Sequence, residues 1–74
     1  MELNYSKLLG KIKECGFTQE TLAKSIGINK STLSAKLNNK NAFTVTEMVD
    51  ICRLLGIFKH EIGEYFFAEK VQKS

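Results

Sequence analysis

Three times along this chain an apolar residue precedes a residue suited to capping a helix, and a second apolar residue follows five positions after the first. The instances are Phe17-Thr18 with Leu22, Ile28-Asn29 with Leu33, and Phe43-Thr44 with Met48. This is the spacing of a hydrophobic staple, in which the residue before the N-cap packs against the fourth residue inside the helix. The third instance adds a capping box, Thr44-Val45-Thr46-Glu47, because a glutamate at that spacing can bond back to the cap amide. Three helix starts in series, in a chain without proline, predict an all-α fold.

The flanking segments agree. Tyr5, Leu8, Leu9, Ile12 and Cys15 form an apolar stripe at helical spacing, with Asn4 as the expected N-cap and Gly16 as the stop. Met48, Ile51, Cys52 and Leu55 repeat the stripe before Gly56. A shorter fifth helix is expected over residues 59–67, with Phe58, Ile62, Tyr65 and Phe66 on one side and Gly63 weakening it. The chain has 74 residues, enough for a single small domain. Its core is expected over residues 4–67, and the polar stretch 68–74 is expected to fray. Cys15 and Cys52 both fall on apolar positions and read as buried thiols of a reducing compartment. No apolar run approaches the ~18 residues of a membrane span, and the N-terminus lacks the layout of a signal peptide. The expectation is an intracellular protein.

The second and third helices, over residues 18–26 and 29–37, are separated only by Gly27 and Ile28. So short a link turns a steep corner. Ala23 supplies the small side chain at the crossing, and Gly27 tolerates the positive φ. The corner reads as a helix-turn-helix.

Stepping ~100° per residue along the third helix places Leu33 and Leu37 inward and Ser31, Ala35 and Asn38 outward. Lys30 and Ser34 flank one edge of that outer face, and Thr32 and Lys36 the other. No acid stands on it. Net charge is concentrated in the same region: residues 18–41 carry +3, against +1 for residues 1–17 and −1 for residues 42–74. A slim helix bearing hydroxyls, amides and lysines suits a major groove about 12 Å wide, so double-stranded DNA is the expected partner.

The stretch "FTQETLAKSIGINKSTLSAKLNNKNAFT" resembles the helix-turn-helix of the lambda-repressor-like (Xre/Cro) family. "EMVDICRLLGI" is similar to that family's fourth helix, and "IGEYFF" resembles the end of small phage-encoded regulators. The resemblance covers about residues 4–67 and implies a five-helix DNA-binding domain that regulates transcription as a repressor or Cro-like protein. It implies base contacts from Lys30, Ser31 and Ala35, with Thr32 at the margin. Phosphate contacts would come from Gln19, which would also brace Lys30, and from Asn29, Asn38, Lys40 and Asn41. Two positions depart from the pattern. Asn39 stands where glycine is usual, and Lys36 stands where an apolar residue is usual. The expectation for Lys36 is a stem along the domain and an ammonium on phosphate.

Catalysis has little to build on. His60 is the lone histidine, there is no glycine-rich phosphate loop, and two cysteines with one histidine make a poor metal site. No cofactor, metal or small-molecule substrate is expected. The rival reading is a protein-interaction module of the same fold, such as an anti-repressor or an antitoxin-like partner. Phe58, Ile62, Tyr65 and Phe66 either close the core or form a homodimer interface on the fifth helix, and the latter would let two copies read a two-fold operator.

Overall fold

A computed structural model describes residues 2–69 of the chain. Five α-helices follow one another: α1 (Ser6–Glu14), α2 (Gln19–Ser25), α3 (Lys30–Leu37), α4 (Val45–Leu55) and α5 (Ile62–Phe66). A 3-10 turn, Lys59–Glu61, leads into the last helix. No strand occurs among the described residues; Leu3 and Glu69 make one isolated antiparallel bridge.

The caps fall where the staples place them. Thr18 Oγ1 accepts from the Thr21 amide at 3.1 Å, Asn29 Oδ1 from the Thr32 amide at 2.8 Å, and Thr44 Oγ1 from the Glu47 amide at 3.1 Å. The Thr44 box closes through Glu47 Oε1, which accepts from the Thr44 amide at 2.8 Å. A second box, unforeseen because Thr21 is neither Glu nor Gln, closes when Thr21 Oγ1 accepts from the Thr18 amide at 2.8 Å. At the other end, α1 to α4 share one exit. A residue at positive φ (Gly16, Gly27, Asn39 or Gly56) is followed by an amide that reaches back five residues to a helical carbonyl. This is the six-to-one bond of the Schellman motif. Asn39, at φ 64°, is the one non-glycine among them.

One core joins all five helices. Leu8, Leu22, Leu33, Ile51 and Phe66 are its most buried side chains. Ala23 is buried where α2 meets α3, and the Ile28 amide donates to its carbonyl at 3.0 Å, which tightens the corner at Gly27. Tyr5, Phe43 and Phe66 stack edge to face in a row, with centroids 5.5 and 5.3 Å apart, within the favourable range for such pairs. Lys7 ties α1 to α5 through an ion pair with Glu64, and its ammonium lies 4.9 Å from the Tyr65 ring centroid.

Several expectations need correction. Leu9 and Cys15 are exposed, because Tyr5, Leu8 and Ile12 carry that stripe into the core while Cys15 reaches α4 only at its margin, its Sγ donating to Leu55 O at 3.6 Å. Asn4 does not cap α1 directly; Tyr5 is the N-cap residue, and Asn4 Oδ1 accepts from the Ser6 amide at 2.8 Å. Tyr65 and Phe66 belong to the core, so they are not available as a dimer surface in the folded chain. Ala68 and Glu69 are paired to the start of the chain, with the Asn4 amide donating to Ala68 O at 2.6 Å. The rest of the expected frayed tail, residues 70–74, lies outside the described residues.

Candidate nucleic-acid interface

The corner pushes α3 outward at its N-terminal end. Lys30 and Ser31 are exposed in its first turn, Thr32, Ser34 and Ala35 are half-buried along it, and Asn38 is exposed at its C-cap. The loop that follows leaves Lys40, Asn41 and Ala42 exposed. No acid interrupts this surface from Lys30 to Ala42. Glu20 of α2 stands at its edge and, with Thr18 and Gln19, lines a crevice against Lys30. Gln19 and Lys30 therefore share a crevice, although no hydrogen bond joins them.

The cap of α3 is also a hub. Asn29 Oδ1 accepts from the Ser31 and Thr32 hydroxyls, each at 2.8 Å, besides the Thr32 amide. Both hydroxyl protons thus point at the cap, while their oxygen lone pairs stay available as acceptors. Asn38 turns back on the helix, its Nδ2 donating to Ser34 O at 2.8 Å.

Lys36 departs from its expected role. It is only 7% exposed, and its ammonium donates to Glu47 Oε1 at 2.7 Å and to Ala42 O at 3.1 Å. An ammonium turned inward onto two oxygens does not reach phosphate, so Lys36 leaves the set of phosphate contacts. Its neighbours explain why: Leu33, Lys36 and Leu37 are all buried, so the inward arc of α3 is one position wider than two leucines suggest. Burial pushes the Glu47 carboxyl up, but hydrogen bonds from Lys36 and the Thr44 amide, with the lysine charge, outweigh it. The net result is a pKa below the ordinary glutamate value.

Sequence reasoning missed a half-open pocket of about 260 Å³ between the loop after α3 and the aromatic row. Leu3, Asn39, Phe43, Met48 and Phe67 are among its walls. The exposed Phe67 and the side-chain grip of Asn39 on Leu3 create it, and neither has a periodic signal. On α4, which supplies Met48 to that pocket, Val45 and Val49 are exposed. Phe58 is 67% exposed and stacks on His60, with ring centroids 5.8 Å apart. Among the described residues, no group of three or more metal-ligating side chains occurs, and no helix is long and apolar enough to cross a membrane.

Residues 1–69 match the family described as Protein of unknown function (DUF739). Among solved structures, the chain is similar to the solution structure of the modulator of repression of the temperate bacteriophage TP901-1 from Lactococcus lactis. Identity to that protein is 38%, 97% of each chain is covered, and the TM-score is 0.77. No curated protein matches the sequence.

Proposed function

We propose that this chain, which belongs to the DUF739 family, is a small phage-type regulator that binds double-stranded DNA through α3. The observation that carries this reading is the uninterrupted acid-free surface from Lys30 to Ala42, raised on a tight helix-turn-helix corner. The similarity to a phage modulator of repression supports the regulatory role. Lys30, Ser31, Thr32 and Ala35 meet base edges, Ala35 offering a methyl to thymine. Gln19, Asn29, Asn38, Lys40 and Asn41 meet phosphate and set the register, helped by the partial positive charge at the start of α3. Two copies on a two-fold operator read half-sites about 34 Å apart. Of the side chains expected at their contact, Phe58 is exposed and Ile62 half-buried, Tyr65 and Phe66 being core.

A second reading has its own support. The similar protein's name is that of a modulator, and the exposed Val45 and Val49 of α4 suit an apolar protein partner such as a repressor.

Selection from a random duplex library, followed by titration of Lys30→Ala and Lys40→Ala, tests the first reading. Lys30→Ala is expected to weaken the selected site by about 1–3 kcal/mol and random duplex little, while Lys40→Ala weakens both alike and lowers the salt slope by about 1. A wild-type protein that holds no duplex at low ionic strength hands the function to the second reading.

A further inference from the structure

After α3 the chain leaves regular structure at Asn38 and regains it at Val45. The Lys40 amide donates to Ala35 O at 2.9 Å, but the amides of Asn41, Ala42 and Phe43 donate to no backbone carbonyl among the described residues. What fastens this stretch is side-chain chemistry: Asn39 holds Leu3 at its start, the Phe43 ring packs between Tyr5 and Phe66 at its end, and Lys36 takes its middle. Lys36 Nζ donates to Ala42 O at 3.1 Å and to Glu47 Oε1 at 2.7 Å, and the same Glu47 oxygen accepts from the Thr44 amide at 2.8 Å. One buried ammonium therefore joins α3, the middle of the loop and the first turn of α4. Desolvating such a pair costs about as much as its attraction returns, and an apolar pair of equal volume is often as stable. Stability alone does not account for a lysine at 7% exposure in the inward arc of α3. A second duty does: Ala42, whose carbonyl it holds, directly follows the exposed Lys40 and Asn41.

We propose that Lys36 is a positioning residue for nucleic-acid binding: from inside the domain it holds Ala42 and Glu47, and so sets the loop from which Lys40 and Asn41 meet the DNA backbone. This rests on the duplex-binding reading above. Lys36 touches no phosphate, and its effect passes through the loop.

The test is the double variant Lys36→Met/Glu47→Gln, which removes both charges together and keeps an acceptor for the Thr44 amide. Three quantities are read: the melting temperature, the NMR order parameters of residues 38–43 in the free protein, and duplex affinity against salt. The expected result is a melting temperature within a few degrees of wild type, and order parameters at 41 and 42 falling from ~0.85 to below ~0.6. Affinity falls about tenfold on specific and random duplex alike, with a salt slope smaller by about 1. Unchanged order parameters overturn the proposal whether or not DNA binds. Unchanged affinity, in a protein whose Lys40→Ala variant binds weakly, overturns it while leaving the duplex reading intact. A double variant that melts ~10 °C or more below wild type assigns the pair to stability and overturns it also. Loss of duplex binding by the wild type itself sinks both readings.

Discussion

The carboxamide of Asn39 grips the backbone of Leu3 from both sides. Its Oδ1 accepts from the Leu3 amide at 2.8 Å, and its Nδ2 donates to the Leu3 carbonyl at 2.9 Å. A side chain here does what a neighbouring strand would do, and this explains why the exit of α3 carries asparagine where those of α1, α2 and α4 carry glycine. Asn39→Gly keeps the left-handed backbone and loses both bonds, an expected cost of about 1–2 kcal/mol. Asn39→Ala adds roughly 1 kcal/mol for the left-handed conformation. Urea denaturation of the three proteins checks the order Asn, Gly, Ala; a glycine variant as stable as wild type would show the grip to be worthless.

Acid is expected to weaken the fold through Glu47. Its folded pKa lies below the ordinary value, so its contribution is fully present above the unfolded pKa and is lost as pH falls through the folded one. Melting temperature should therefore decline from the ordinary glutamate range downward, and Glu47→Gln should flatten that decline. Removing Lys36 alone, as Lys36→Met, leaves a carboxylate uncompensated and costs about 3–5 kcal/mol at neutral pH. The paired removal costs much less. Calorimetry across the acid range, on the single and double variants, measures both effects.

The two thiols should separate cleanly. Cys15 is exposed, whereas Cys52 is buried and burial raises its pKa. A thiol reagent near neutral pH is expected to label Cys15 promptly, and Cys52 only as the protein opens. Prompt labelling of both in the native protein would contradict the packing of α4.

Two aromatic positions close in sequence should behave in opposite ways. Phe66 is 1% exposed and closes the ring row, so Phe66→Ala is expected to cost about 3–5 kcal/mol. Phe58→Ser should stay within about 0.5 kcal/mol as a monomer. Sedimentation of Phe58→Ser then reports whether that side chain joins two copies, without the unfolding that Phe66→Asp would bring.

These contrasts trace what could be read from the residues. Thr18, Asn29 and Thr44 announce their helices because capping is local chemistry, decided within a few positions. The Gly27 corner is legible for the same reason, needing only a small residue and a positive φ. Lys36 was not legible: a lysine at the margin of a helical stripe reads as surface, and only Ala42 and Glu47, supplied by the fold, turn it inward. Cys15 and Leu9 failed in the reverse sense, since a stripe says which side is apolar but not how far the neighbouring helices extend over it. Tyr65 and Phe66 could not be told from surface aromatics until Phe43 was seen against Phe66. That Lys30, Ser31 and Asn38 stand outward followed from periodicity, whereas the half-burial of Ala35 and the turning of Ser31 and Thr32 onto Asn29 did not.

The bridge between Leu3 and Glu69, with the Asn4 amide on Ala68 O, ties the two ends of the described chain by few backbone bonds. Segments tied by few contacts open at low free energy, so this seam is expected to open short of melting. Because Asn39 holds that same Leu3, a breath at the two ends of the sequence is felt at once in the middle of it, where the third helix lets go of the chain.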